Sequence, residues 1–226
     1  LNGAEPISWD LCEEFLGALA PYGLKRTAMY PVYGLAEATV GVSLPEPGNE
    51  YSRIVVDRHS LRVGDVYREV DPEDPDAVSF VKVGTAMRDV QIRIADDADE
   101  MLPDGKVGNI QLSGGSVTER IYGDAEATES LFTGDGWLRT GDVGVFVDGQ
   151  LVITGRSKDI IIINGQNYYP HDLEEIVADV EGLDLGKVVV AGTRTHESQT
   201  EVLFRFGGDL NAQTAVNALA RFVDHA

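Results

Sequence analysis

Two dipeptides, Asp148-Gly149 and Asn164-Gly165, each lie between runs of apolar residues, in "VFVDGQLVI" and "DIIIINGQNYY". Asp-Gly and Asn-Gly tolerate positive φ at both central positions of a type I′ turn, whose twist matches that of the strands it joins. A chain carrying both must fold back on itself twice in close succession, so two antiparallel hairpins are predicted here. The polar run "GRSK" between them (155–158) reads as a joint. It places a predicted domain boundary between 1–157 and 158–226.

The flanking sequence extends this pattern. Val90, Ile92 and Ile94 alternate, and so do Ile110 and Leu112 after the "LPDGKVG" turn, which predicts further antiparallel strands. "SWDLCEEFLGALAPYG" predicts a helix capped by Ser8, with Leu11, Phe15 and Leu19 as its buried stripe and Pro21 and Gly23 ending it. "RTAMYPVYGLAEATVGVS" is mostly apolar and predicts a buried strand followed by a turn. The segment 45–80 is rich in Pro, Gly and acids. Its run Asp71-Pro-Glu-Asp-Pro-Asp is predicted to be a solvated loop, with "RIVV" and "AVSFVKV" as strand-like anchors on either side. After the second hairpin, Pro170 suits the first turn of a helix with Leu173, Ile176, Val177 and Val180 inward and Gly182 as its stop. "KVVVAG" and "EVLFRFGG" predict strands and "NAQTAVNALARFV" a helix. From about Asp159 onward the expectation is a small α+β unit.

Composition excludes several classes. The formal net charge of −20 repels nucleic acid and anionic membrane over the surface at large. No apolar run reaches the roughly 18 residues of a membrane span. The single cysteine, Cys12, leaves no intramolecular disulfide and fits a reducing compartment, so a cytoplasmic location is expected. His59, His171, His196 and His225 are scattered without ligand spacing, and no zinc site is expected. The N-terminus "LNGAEPISWD" has no secretory pattern and no initiator Met, as in a piece excised from a longer chain.

Hairpins account for the glycines of residues 139–170 and leave the charges unexplained. Asp142 follows a glycine at a strand end, where a carboxylate accepts two parallel hydrogen bonds, as a ribose diol would offer. Arg156, fourteen residues on and on the return strand, comes within reach of a phosphate or sugar oxygen of the same ligand. Taken alone, such a pair is more often a turn residue and its salt-bridge partner.

Three further runs change that balance. "NGAEP" (2–6), "YGLAEAT" (33–39) and "GNIQLSGGSV" (108–117) precede "LRTGD" (138–142) and "GRSKDIIIINGQNYYPHDLEE" (155–175). In this order the series resembles the adenylate-forming superfamily of acyl-CoA synthetases, luciferases, peptide-synthetase adenylation domains and fatty acyl-AMP ligases. The resemblance implies an α/β and α+β fold: the C-terminal, β-rich part of the large domain, then a small α+β domain incomplete at its end.

It also implies roles. Gly3, Ala4 and Glu5 would form one wall of an adenine slot and Tyr33 and Gly34 the other. Glu37 would hold Mg²⁺ against the phosphates of ATP and, with Arg156, serve catalysis. Asp142 would grip the ribose hydroxyls and Arg156 contact the nucleotide. Lys158 would be the hinge about which the small domain turns between half-reactions. The phosphate loop and the adenylating lysine would lie outside the chain, which would be inactive alone.

Within the superfamily, Ala36 before the motif glutamate and the roughly forty residues from Val42 to Val83 resemble the fatty acyl-AMP ligases, the latter as their distinguishing insertion. That branch implies activation of a fatty acid to an acyl-adenylate, with release of pyrophosphate. Acyl transfer to the phosphopantetheine thiol of a carrier protein would follow. An acyl-CoA synthetase or a non-catalytic nucleotide-binding relative are the alternatives. Arg120-Ile121 departs from a Gly-aromatic pair usual in the family, and Asn164 and Gln166 stand where arginines are common.

Overall fold

In the computed structural model of the chain, Asp148 and Gly149 take left-handed φ values of 52° and 73°. That is the type I′ geometry expected of this dipeptide. The turn joins β7 (Leu138–Val147) to β8 (Gln150–Arg156). With β5 (Val90–Ala95) and β6 (Gly108–Gly114) they form an antiparallel sheet in the order β5-β6-β7-β8. The structure describes residues 1–163, 166–168, 170, 173–174, 183–194 and 200–208. The chain divides into two compact units, Leu1–Ser157 and Lys158–Ala226.

Alternation along these strands builds the core of the first unit. Ile94, Ile110, Leu112, Leu138 and Leu151 are all buried on one side, joined by Tyr33, Val42 and Val83. Each fully buried Leu or Ile contributes about 1.5–3 kcal/mol relative to exposure. The sheet is extended at its β8 edge by residues 82–84, where Val83 N–H donates to the Leu151 carbonyl (2.9 Å) and Leu151 N–H to that of Gly84 (2.7 Å).

The segment 45–80 is more ordered than its composition suggests. Its anchors pair with each other as β2 (Arg53–Asp57) and β3 (Ala77–Val81), in the register Ile54↔Phe80 and Val56↔Val78. Ile54, Val56, Leu61 and Phe80 are buried. The Pro-rich tip around 71–76 stays solvated, as do residues 46–50, because their acids and prolines offer little to bury. Tyr51 at the start of the insertion packs into a second cluster with Cys12, Leu16 and Val81. A two-stranded pair of β1 (Ser43–Leu44) and β4 (Thr85–Ala86) closes the base of the insertion.

Two expectations are corrected. Helix α1 (Trp9–Leu19) is capped by Ser8 as expected, yet it buries Cys12 and Leu16, while Leu11 and Phe15 are half exposed at 53% and 52%. Apolar residues occur on adjacent faces of this helix, and the face presented to Tyr51 and Val81 is the one buried. The strand expected in 26–43 forms only isolated bridges, Asn2↔Pro31 and Tyr33↔Ser43, around 3-10 turns at Arg26–Ala28 and Ala36–Ala38. Helix α2 (Ala125–Leu131), capped by Asp124, was not anticipated.

In the second unit, β9 (Ile161–Ile163) pairs with β10 (Gln166–Tyr168), in register across the Asn164-Gly165 dipeptide. β11 (Leu183–Arg194) pairs antiparallel with β12 (Thr200–Gly208). Leu173 is buried, and the Glu174 carboxylate accepts from Val190 N–H at 2.9 Å. Asn164, Ile176, Val177, Val180, Gly182 and the helix expected over 211–223 lie outside the described residues.

Candidate active site

Asp142 and Arg156 face each other as register partners on β7 and β8. The register shifts between Val143 and Gly144, so β8 carries one extra residue at this point. A bulge of this kind re-aims side chains near a strand end. Gly141, at a φ of 79°, turns the backbone just before Asp142, and its carbonyl accepts from both the N–H and the hydroxyl of Ser157 (2.9 and 3.1 Å). Thr140 bonds the Ile110 carbonyl through its hydroxyl (2.8 Å) and accepts from Asp142 N–H (3.0 Å). Thr140 and Ser157 were not singled out from the sequence, although both lie inside the "RTGD" and "GRSK" runs.

The Asp142 carboxylate is 4% exposed and both its oxygens are engaged. Oδ1 accepts from Arg156 Nε at 2.9 Å, and Oδ2 accepts from the Tyr33 hydroxyl at 2.5 Å. Arg156 keeps 67% of its side chain exposed. Tyr33 is buried, and burial followed by the charge of Asp142 raises its phenol pKa well above the ordinary value. Two residues from separate motifs therefore converge on the carboxylate of a third. Two of a carboxylate's roughly four acceptor positions are filled, which leaves capacity for a diol.

The loop that carries Tyr33 is unusually tight. A Cβ at Gly34 would stand 1.6 Å from the Val40 carbonyl oxygen, so only glycine fits. Thr39 and Val40 take consecutive positive φ values, 54° and 81°, costly for β-branched residues. Glu37 projects from this loop into solvent, and its backbone carbonyl accepts from Thr118 N–H at 2.7 Å. The hydroxyl of Thr39 bonds the Ser116 carbonyl at 2.8 Å. "YGLAEAT" is thus tied to the end of "GNIQLSGGSV".

Asn2 N–H donates to the Tyr30 carbonyl and Val32 N–H to that of Asn2 (2.9 and 2.8 Å), which sets Gly3 against Val32. Ala4, at a φ of 75°, and Glu5 follow, both exposed. Lys158 is exposed and is the first residue of the second unit. Arg139, in "LRTGD", is committed elsewhere: it binds Asp99 through Nε (3.1 Å) and Nη2 (2.5 Å), and its Nη1 reaches the Ser130 and Phe132 carbonyls. It braces one wall of an open groove of about 710 Å³ shared with Ser113, Thr118 and Phe132.

The fold is that of adenylate-forming domains, here with an acid, an arginine and a tyrosine gathered at one strand end. Residues 1–122 match the family described as AMP-binding enzyme. The chain is 43% identical over 194 residues to the long-chain-fatty-acid–AMP ligase of Mycolicibacterium smegmatis, covering 77% of this chain and 30% of that protein. It is 38% identical over 200 residues to the 4-hydroxyphenylalkanoate adenylyltransferase of Mycobacterium marinum, covering 83% and 31%. A solved structure from work on fatty acyl-adenylate ligases of E. coli and L. pneumophila superposes with a TM-score of 0.83 at 28% identity, over 99% of this chain and 40% of that one. The chain belongs to the AMP-binding enzyme family. It spans only about a third of the length of these curated relatives.

Proposed function

We propose that the protein carrying this chain is a fatty acyl-AMP ligase. Its reaction joins a fatty-acid carboxylate to the α-phosphate of ATP, releasing pyrophosphate, and then passes the acyl group to the thiol of a carrier protein, releasing AMP. The observation that carries this reading is the meeting of Tyr33, Asp142 and Arg156 at one strand end. It is supported by the relative from M. smegmatis and by a medium-chain-fatty-acid–[acyl-carrier-protein] ligase of Moorena producens, 35% identical over 183 residues. In this reading 1–157 is the last part of the large domain and 158–226 belongs to the small domain, with Lys158 as the hinge.

Asp142 accepts from the ribose diol, and Gly3, Ala4, Glu5, Tyr33 and Gly34 border the adenine. Arg156 keeps a largely exposed guanidinium beside the ribose, placed to offset charge on the nucleotide. Glu37 is a single exposed carboxylate on a backbone-tied loop. That fits Mg²⁺, which is held by one or two carboxylates together with substrate phosphates. Bound there, the ion would neutralise phosphate charge. Attack on the α-phosphate builds charge on phosphate oxygens, so fixed donors and cations supply most of the stabilisation.

The relative from M. marinum favours a second carboxylate, a hydroxyphenylalkanoate, and a putative acyl-CoA synthetase of Caulobacter vibrioides, 33% identical over 217 residues, favours coenzyme A as acceptor. One assay separates these readings. The natural full-length protein is given MgATP and, in turn, each acid, with either coenzyme A or a carrier protein. Acyl-adenylate from a fatty acid, and acyl transfer to the carrier alone, are expected. Abundant acyl-CoA would overturn the acceptor, and activation confined to the aromatic acid would overturn the substrate.

A further inference from the structure

Tyr33 is held on both sides. Its N–H donates to the Ser43 carbonyl (3.2 Å), and its own carbonyl accepts from Val42 and Ser43 N–H (3.0 and 3.1 Å). Its ring is buried in the main core cluster with Val42, Leu138 and Leu151. The hydroxyl donates to Asp142 Oδ2 at 2.5 Å, with the Thr140 side chain as a second hydrogen-bonding neighbour. Burial raises the phenol pKa, which favours the protonated, donating form. The other carboxylate oxygen is met by Arg156, on the neighbouring strand.

We propose that Tyr33 is a positioning residue acting through its hydroxyl, which fixes the plane of the Asp142 carboxylate for a ribose diol. This rests on the reading of Asp142 as the ribose acceptor. A diol donates two nearly parallel hydrogen bonds, and a carboxylate free to rotate about its last torsion loses that match most of the time. One donor on each oxygen, from two separate elements, removes the rotation before the nucleotide arrives, so no ordering cost remains to be met on binding. A residue that only lines an adenine slot would need the ring and not the oxygen. The tyrosine hydroxyl is thus the part of the side chain that matters for sugar recognition.

The test is Tyr33→Phe in the natural full-length protein, with ATP and 2′,3′-dideoxy-ATP titrated against both forms. The wild type is expected to prefer ATP. The Phe variant is expected to lose about tenfold in ATP affinity, the scale of one hydrogen bond to a charged group, with dideoxy-ATP affinity nearly unchanged. The loss should appear in KM for ATP rather than in kcat. Equal losses for both nucleotides, or none, overturn the positioning role. A wild type that does not distinguish the two nucleotides overturns the ribose reading itself, and the proposal with it. Should the Phe variant not fold, 3-fluorotyrosine at position 33 keeps the ring and makes the hydroxyl a stronger donor. A shift in ATP affinity without one for dideoxy-ATP then supports the role, and no shift overturns it.

Discussion

Asp142 stands opposite Arg156, and not opposite Gly155, because β8 carries one residue more than β7 beside it. Counted inward from Val147↔Gln150, an unbroken register would pair Asp142 with Gly155; the shift after Val143 moves it on by one. The uncounted residue is Thr154, fully buried, with a hydroxyl that finds no hydrogen-bond partner among the described residues. A one-residue slip exchanges the two faces of a strand, so this bulge decides whether the guanidinium reaches the carboxylate at all.

Replacing Thr154 with valine should therefore stabilise the protein, by about 1 kcal/mol, since a buried unpaired hydroxyl is exchanged for a methyl of the same shape. Deleting Thr154 should remove the bulge and leave Asp142 opposite Arg156 in an unbroken register, so ATP binding should survive at a cost in local packing. Denaturant midpoints and nucleotide titrations on the two variants measure both effects. A less stable valine variant would mean that the hydroxyl has a partner.

Asp142→Ala should weaken ATP binding at least tenfold, because two hydrogen bonds to a charged acceptor of about 1.5–3 kcal/mol each are at stake. It should also cost stability, since the buried Tyr33 hydroxyl loses its acceptor. Asp142→Asn keeps the shape and should separate the two losses. Equal ATP affinities for wild type and both variants would remove Asp142 from the site.

Gly34→Ala should be severely damaging, because its Cβ would lie 1.6 Å from a backbone oxygen that cannot swing aside. Overpacking of this kind typically costs about 1–3 kcal/mol. The displaced Val40 would carry Glu37 with it. A lowered melting temperature together with lost pyrophosphate exchange is expected, and an unchanged variant would show that the loop yields.

The insertion is stapled to α1 by Glu13, which accepts from Arg26 (2.7 and 2.8 Å) and from the Tyr51 hydroxyl. Arg26 first and Tyr51 second hold the Glu13 carboxyl down at about 2, from an ordinary 4.5. A depressed folded-state pKa contributes stability above the unfolded value and loses it as pH falls through the folded one. The wild type should thus shed stability between pH 4.5 and 2. Glu13→Gln should show a shallower slope in that window. Amide exchange at residues 51–57 is the readout, and identical slopes would acquit Glu13.

Lys158→Pro should slow acyl transfer more than adenylate formation, since proline restricts the φ change a hinge absorbs. Pyrophosphate release set against carrier acylation measures the split. Equal slowing of both steps would mark Lys158 as an ordinary active-site lysine.

Wherever the physics is local, the sequence sufficed. Asp-Gly at 148–149 makes its turn from its own φ preferences, Ser8 caps α1, and alternation at Val90–Ile94 and Ile110–Leu112 marks paired strands. The order of five motifs pointed to the family, and to Asp142 and Arg156. Wherever an outcome depends on which partner a surface meets, the sequence was silent. Cys12 and Leu16, not Leu11 and Phe15, are buried because Tyr51 and Val81 close on that face. The insertion's ends read as strand-like anchors around a loop of prolines and acids, but that they pair with each other, Ile54 opposite Phe80, depends on a contact across the hairpin. The bulge at Thr154 leaves no mark in composition or periodicity. The bond from Tyr33 to Asp142 spans 109 positions of chain. Turns and caps are settled within a few residues by backbone sterics, whereas register, buried face and side-chain convergence follow from packing among distant segments.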